Sequence, residues 1–171
     1  NRKHERDMYF EIIEDLRKAR PDIALSGDFI VGFPGESDQD FEDTMDLVRR
    51  VKYASAYSFK YSPRPGTPAA NMANLVREDV KTERLAALQG LINEQQLEFN
   101  KNCIGKTLPV LFDRTDKKGD KLHGRTPYNQ AIHVSAPPRL MGHSANVVID
   151  GAFANSLTGE LELQESILKS A

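Results

Sequence analysis

Cysteine is nearly absent from this sequence, which has one cysteine, Cys103, in 171 residues. A single thiol cannot form a disulfide within the chain, and it cannot by itself hold a zinc ion or an iron-sulfur cluster, which need several ligands. The four histidines show neither of the short spacings typical of metal ligands on one element. The sequence therefore predicts no metal site built from its own residues.

Long apolar runs are absent as well. No stretch approaches the roughly 20 apolar residues of a membrane-spanning helix, and the N-terminal residues lead into an amphipathic helix without a signal-peptide core. The net charge is −2, which favours neither nucleic acid nor an anionic membrane as a partner of the chain as a whole. With 39% hydrophobic residues, the composition is typical of a soluble globular protein, and we expect it in the cytoplasm.

The first half of the chain alternates helical and strand-like patterns. An amphipathic helix is predicted before Pro21, because apolar residues recur at spacings of three and four. Residues 23–33 are typical of a strand covered on both faces, as in a parallel sheet. Ser37 predicts the N-cap of a second helix, and a second strand follows over 54–61. This order predicts an α/β protein. The apolar stripe of the first helix is predicted to comprise Met8, Ile12, Leu16 and Ala19, widened by Tyr9 and Ile13.

Beyond Cys103 the pattern changes to short runs of strand-forming residues separated by turn residues. A long helix over 77–100 comes before this change, so we place the domain boundary between 1–102 and 103–171. Several short strands in such a segment predict a small antiparallel barrel of the oligonucleotide-binding (OB) kind. The predicted strands occupy residues 107–112, 121–124, 130–134, 146–149 and 157–163.

Two parallel strands are too few for a stable sheet of this type. They cannot cover their own edges or bury a strand that is apolar on both faces. The first residue is Asn1 and not methionine. We therefore expect that an upstream part is missing and that the first half has exposed strand edges.

Three segments of the chain resemble the radical-SAM tRNA methylthiotransferases. Residues 26–36 (SGDFIVGFPGE) are similar to a late barrel strand and its loop in these enzymes. Residues 61–69 (YSPRPGTPA) resemble the loop after the last barrel strand in the branch that acts on isopentenyladenosine in tRNA. The tail resembles the TRAM domain that closes these enzymes, through residues 99–100, 104–106, 124–130, 133–134 and 154–161.

The resemblance implies both a fold and an activity. The fold would be the C-terminal portion of an α/β, TIM-like partial radical-SAM barrel, followed by a small all-β TRAM barrel that grips tRNA. The intact parent would add a methylthio group to isopentenyladenosine next to the anticodon, using S-adenosylmethionine and [4Fe-4S] clusters. Its partners would be the anticodon stem-loop of tRNA and the upstream remainder of the enzyme. We expect a monomer without a membrane partner.

One feature of the family has no counterpart in this sequence. The family's C-x-x-x-C-x-x-C motif holds the [4Fe-4S] centre that cleaves S-adenosylmethionine, whereas Cys103 is the only cysteine here. Cys103 follows the long helix, far from the expected position of that motif. We therefore expect the chain alone to be catalytically inactive and to bind neither cofactor stably.

The resemblance also implies which residues approach the cofactor. In radical-SAM barrels the late strand passes beside S-adenosylmethionine, and the matching positions are Ile30, Gly32 and Phe33, with Asp28 on the same strand. Glycine at position 32 permits a close backbone approach or a positive φ, and an ordinary strand-to-helix turn explains it equally well. An aspartate in an apolar strand needs a polar environment or a partner, so a structural pairing remains open beside a cofactor contact.

Basic residues are concentrated in one window of the tail. Between 114 and 139 there are six lysines and arginines against two aspartates. With aromatic side chains interleaved, this pattern predicts phosphate contacts and base stacking, although a solvated hairpin is the simpler alternative. Arg64 lies between two prolines and suits an anionic group, unless it is merely a solvated loop residue. The predicted RNA contacts are Arg64, Lys117, Lys118, Lys121, Arg125, Tyr128 and His133.

Two other functions remain open. The tail alone could be a stand-alone RNA-binding module, in which case a change at Gly32 would not affect RNA binding. A complete α/β enzyme of another class could use Asp28 or Arg64 without a metal. The sequence shows no Ser-His-Asp, Cys-His or glycine-rich phosphate-loop signature, which counts against that enzyme.

Overall fold

The computed structural model describes residues 6–116 and 121–162. Its first elements are α1 (Arg6–Ala19), β1 (Ser26–Val31), α2 (Asp38–Val51), β2 (Ser55–Lys60) and α3 (Glu78–Lys101). Five strands follow, which are β3 (Thr107–Thr115), β4 (Leu122–Arg125), β5 (Ala131–Val134), β6 (Ser144–Ala152) and β7 (Leu157–Leu161). The chain divides into two compact units between Gln95 and Gln96, within α3. The predicted domain boundary after residue 102 stays a prediction.

The first unit contains a β-α-β arrangement. Strands β1 and β2 are parallel, with Ser26 opposite Ser55 and Val31 opposite Lys60. The N-cap predicted at Ser37 is confirmed, because its hydroxyl accepts a hydrogen bond from the backbone N–H of Asp40 and the Asp40 carboxylate accepts one in return. The core of this unit is formed by Phe10, Ile13, Val31, Met45, Val48, Val51, Tyr53, Leu88 and Ile92.

The buried face of α1 agrees only in part with the predicted stripe, which included Ile13 but not Phe10. Met8, Ile12 and Leu16 are exposed, whereas Phe10 and Ile13 are buried. The helix carries apolar residues around more than half of its circumference, so periodicity alone could not show which stripe faces the core.

Strand β1 was predicted to be covered on both faces, but in the described residues one of its faces is exposed. Its alternate residues Asp28 and Ile30 are exposed, and they lie opposite Tyr57 and Phe59 of β2, which are exposed as well. In the described part of the chain, helices pack against the other face only. We call the residues Asp28, Ile30, Tyr57 and Phe59 the open sheet face.

The second unit is a closed barrel with the strand order β3-β4-β5-β7-β6. All five predicted strands are present, but β5 and β7 run parallel, so the barrel is not entirely antiparallel as predicted. Inward positions alternate with outward ones along each strand. A side chain at Gly124 or Gly159 would place its Cβ 2.6 and 2.5 Å from the carbonyl oxygens of Leu111 and Val148, so glycine is required where neighbouring strands approach most closely.

None of the helices in residues 6–116 and 121–162 is long and apolar enough to cross a membrane.

Candidate nucleic-acid interface and open sheet face

A row of polar side chains crosses the outer surface of the barrel. Arg114 of β3 is paired with His123 of β4, which is paired with His133 of β5, which in turn is paired with Thr158 of β7. Their neighbours Leu122, Val134 and Leu157 are buried, so these four side chains point outward. We call Arg114, His123, His133 and Thr158 the outer row.

The two histidines of the outer row are in contact. Their ring centroids lie 4.1 Å apart with the rings inclined at 77°. Partial burial lowers the pKa of His133, and the nearby His123 and Lys121 lower it further, while Asp116 opposes them. The lowered pKa favours the neutral His133 ring, which can accept a hydrogen bond or stack.

Two predicted RNA contacts flank this row. Lys121 is exposed just before β4, and its backbone N–H donates to the Asp116 carboxylate at 3.3 Å. Arg125 ends β4 and donates from its guanidinium to the carbonyl oxygen of Asn129 at 3.1 Å, which orients the side chain along the loop. The structure thus brings Lys121, Arg125 and His133 to neighbouring strands of one surface. Lys117 and Lys118 lie outside the described residues.

Tyr128 has a packing partner within the barrel unit. Its ring meets Phe99 edge to face at 5.5 Å and packs against the barrel core. The loop that carries it is held by Gln130, whose amide donates to Asn100 at 2.6 Å. Packing accounts for this tyrosine without a ligand, and base stacking on it stays a prediction.

Arg64 belongs to the first unit and the other predicted RNA contacts to the second. It is exposed on the loop after β2, where its carbonyl oxygen accepts hydrogen bonds from the backbone N–H and the hydroxyl of Thr67. Its guanidinium makes no hydrogen bond or ion pair with another residue of the described ranges. The side chain is therefore available to an anion, and its contact with RNA stays a prediction.

The structure explains the glycine at position 32. Gly32 has φ of +73°, and a Cβ there would collide with the aliphatic stem of the buried Lys81. Its backbone N–H donates to the Glu36 carboxylate at 2.9 Å, which closes the turn after β1. A turn conformation and a close side-chain neighbour both require glycine here.

An ion pair that the sequence analysis missed holds this turn. Arg84 of α3 is 7% exposed and donates to Glu36 at 2.7 Å and to Asp38 at 2.6 Å. The Glu36 side chain is itself only 12% exposed. The available signal was an arginine among the apolar positions of α3, but its partners lie more than forty residues earlier in the chain.

The open sheet face is apolar and aromatic with one carboxylate. Ile30 is 58% exposed and Tyr57 67% exposed. At the end of β1, Phe33 meets Tyr61 edge to face at 5.2 Å and remains partly exposed. Such a surface suits a flat, largely apolar group, and Asp28 adds a hydrogen-bond acceptor.

The described residues do not fit an iron-sulfur cluster. Among them, no group of three or more His, Cys, Asp or Glu side chains is arranged to hold a metal ion. Cys103 is 2% exposed and packs in the barrel core. A [4Fe-4S] cluster needs several thiolates, and this chain has one.

Comparison with known proteins covers nearly the whole chain. Residues 1–48 match the family model of the radical SAM superfamily, and residues 101–161 match that of the TRAM domain. The chain is 57% identical over 162 residues to the tRNA-2-methylthio-N(6)-dimethylallyladenosine synthase of Rickettsia conorii, which covers 94% of this chain and 36% of the relative. It is 58% identical over 161 residues to the synthase of the same name from Maricaulis maris, with 94% and 35% covered. The chain thus spans about a third of the length of these curated relatives.

Proposed function

This chain belongs to the radical-SAM tRNA methylthiotransferase family, and we propose that its whole protein is a tRNA-2-methylthio-N(6)-dimethylallyladenosine synthase whose β3–β7 barrel binds tRNA. The whole protein would be an enzyme that transfers a methylthio group to isopentenyladenosine beside the anticodon. It would act in the cytoplasm, where its tRNA substrate is found.

The chemistry of the whole enzyme would come from S-adenosylmethionine and [4Fe-4S] clusters. The clusters cannot be held by these 171 residues, which contain one buried cysteine. We therefore propose that the chain by itself has no transferase activity.

The first unit would contribute part of the radical-SAM barrel, within a domain covering 1–102. S-adenosylmethionine would lie beside the open sheet face, near Asp28 and Ile30, with Gly32 and Phe33 at the end of β1. The exposure of these apolar and aromatic side chains supports this placement. Gly32 is buried, and its role in this placement would be indirect. Its backbone N–H donates to the Glu36 carboxylate, and the turn closed by this hydrogen bond sets where β1 ends.

The RNA contacts would lie in the barrel, within a domain covering 103–171. The observation that carries this proposal is the convergence of Lys121, Arg125 and the outer row on one surface of a closed β-barrel. Cationic side chains beside aromatic rings supply the phosphate and base contacts that small RNA-binding barrels use.

The test is RNA binding by the complete 171-residue chain. An anticodon stem-loop carrying N6-dimethylallyladenosine is titrated over a salt series, beside an unrelated hairpin RNA. We expect the Lys121→Glu, Arg125→Glu double variant to weaken binding about tenfold and to reduce the salt slope by about 2, because two phosphate contacts are lost.

The matched control carries the same kind of charge change elsewhere on the barrel. Lys106 is exposed just before β3, outside the outer row, so Lys106→Glu should leave both affinity and salt slope close to those of the parent chain. Equal losses in the control and in the double variant would count against this surface as the RNA site.

A stand-alone RNA-binding module remains the second candidate. The closed barrel favours it, because the barrel has its own hydrophobic core. Substitutions in the first unit distinguish the two candidate functions, since only the transferase requires the open sheet face. Loss of transferase activity in the whole enzyme on Ile30→Asp, with RNA binding unchanged, would decide for the transferase.

A further inference from the structure

The contact between His123 and His133 limits how many protons the two imidazole rings can hold together. The two residues face each other across β4 and β5, with ring centroids 4.1 Å apart. Two imidazolium ions at this distance repel each other strongly, so the pair cannot easily hold two protons near neutral pH. An anion bound beside the two rings would offset this repulsion.

Charged groups lie beside the pair on β3 and in the hairpin that joins β3 to β4. On the β3 side Arg114 is paired with His123, and its guanidinium lies 3.6 Å from the Asp113 carboxylate. Lys121 comes just before β4, opposite Asp116 in the hairpin. Burial lowers the pKa of His133 in the free chain, His123 and Lys121 lower it further, and Asp116 opposes them.

On the other side of the pair, β7 places Thr158 opposite His133. The Thr158 hydroxyl donates to the Asp150 carboxylate of β6 at 2.6 Å, so this acidic group already has a partner. The negative charges near the pair are therefore partly engaged, and an incoming phosphate would meet a surface with cations on one flank and two half-buried imidazoles at its centre.

We propose that His123 and His133 form, together with Arg114 and Lys121, a phosphodiester-binding site that takes up a proton from solvent when RNA binds. This inference rests on the proposed RNA-binding function of the barrel and adds to it a specific site and a dependence on pH. The phosphate contributes the negative charge that lets one imidazole become protonated, and the resulting N–H donates to a phosphate oxygen.

The direction of the effect follows from linkage. Bound RNA raises the pKa of the pair above its value in the free chain, where burial and neighbouring cations lower the pKa of His133. The extra affinity is fully present below the pKa of the free chain and is lost as pH rises through the pKa of the complex. A rise of one pKa unit corresponds to about tenfold tighter binding at low pH.

The experiment measures affinity and protonation on the complete chain. Binding of the anticodon stem-loop is measured from pH 5.5 to 8 at constant ionic strength. The titration of each histidine is followed by NMR with and without RNA. We expect about tenfold tighter binding at the acidic end and a raised pKa for His123 or His133 in the complex.

Variants separate this site from general effects of pH on protein and RNA. The His123→Asn, His133→Asn double variant should lose the pH dependence while keeping the salt dependence. His143 is exposed outside the outer row, so His143→Asn should keep both. The NMR titration of the parent chain needs no variant and stands even if the double variant folds poorly.

Unchanged histidine pKa values in the complex, or the same pH dependence in the double variant, would overturn the inference and leave salt-dependent RNA binding intact. An equal rise in pKa caused by inorganic phosphate at the same concentration would overturn the assignment to RNA. Absence of RNA binding at every pH would overturn both the inference and the function on which it rests.

Discussion

The two compact units bury their apolar residues in different ways. In the barrel, inward side chains such as Phe112 and Ile132 are completely buried, because closure gives every strand two neighbours. In the first unit, the two-stranded sheet is covered on one face, and aromatic residues such as Tyr57 and Phe59 remain exposed on the other. A closed barrel completes its own core, whereas a parallel pair of strands depends on further elements.

The largest expected effect tests this difference with one substitution made in both units. Phe112→Ala removes a fully buried ring and should lower the free energy of unfolding of the barrel by about 3–5 kcal/mol. Phe59→Ala removes a ring of the open sheet face and should change stability by less than about 0.5 kcal/mol. Hydrogen exchange resolved by peptide reports each unit separately.

Similar losses from Phe112→Ala and Phe59→Ala would show that the open sheet face is covered in solution. That result would contradict the conclusion that the barrel completes its own core while the two-stranded sheet is covered on one face only.

The next largest effect is expected at the buried ion pair between Arg84 and Glu36, which stabilises the turn after β1. Arg84→Met removes the cation and leaves the Glu36 carboxylate partly buried, so we expect a loss of about 3 kcal/mol in urea unfolding. Adding Glu36→Gln should recover part of it, since no uncompensated charge then remains. The control is Arg77→Met, because Arg77 pairs with Asp79 at the surface, where an ion pair contributes about 0–1 kcal/mol.

A loss from Arg84→Met no larger than that from Arg77→Met would show that the buried ion pair does not hold the turn. The predicted order of these two variants would then be wrong.

The smallest effect is a response to pH confined to the barrel. The pKa of His133 is lowered from its ordinary value of 6.5, first by burial and then by His123 and Lys121. The folded state thus favours the neutral ring. The stability this contributes is present above pH 6.5 and is lost as pH falls below that value and through the lower pKa of the folded state.

Between pH 7 and 5.5, the protection of barrel peptides against hydrogen exchange, corrected for the slower intrinsic exchange at lower pH, should therefore fall, and His133→Asn should flatten this response. The other described histidines, His123 and His143, also belong to the second unit, so peptides of the first unit serve as an internal control. An equal loss of corrected protection in both units would count against a local origin.

Much of the local structure was predictable from residue patterns. The long helix predicted over 77–100 is α3 (Glu78–Lys101), and the N-cap at Ser37 was located by its hydroxyl and the acidic residue three positions later. The predicted stripe of α1 was right at Ile13 and wrong at Met8, Ile12 and Leu16, because apolar residues cover more than half of the circumference of that helix. A pattern shows that a face is apolar, but the neighbouring elements decide which face is covered.

The candidate site was predictable in part. Lys121, Arg125 and His133 were selected by their proximity in a basic segment, and the structure places them on adjacent strands. Arg114 and His123 belong to the basic, aromatic window recognised in the sequence, but they were not singled out as contacts, because their place in the outer row depends on the register between strands. A shift of one residue would have turned them inward.

The sequence by itself determined the order of helices and strands, the turn glycines, the single cysteine and the resemblance to a family, because each of these depends on neighbouring residues or on short motifs. Only the tertiary structure decided that Arg84 pairs with Glu36, that His123 meets His133, and that one face of the β1–β2 sheet stays exposed. These contacts join residues distant along the chain, and their formation depends on strand register and packing, which local sequence patterns do not specify.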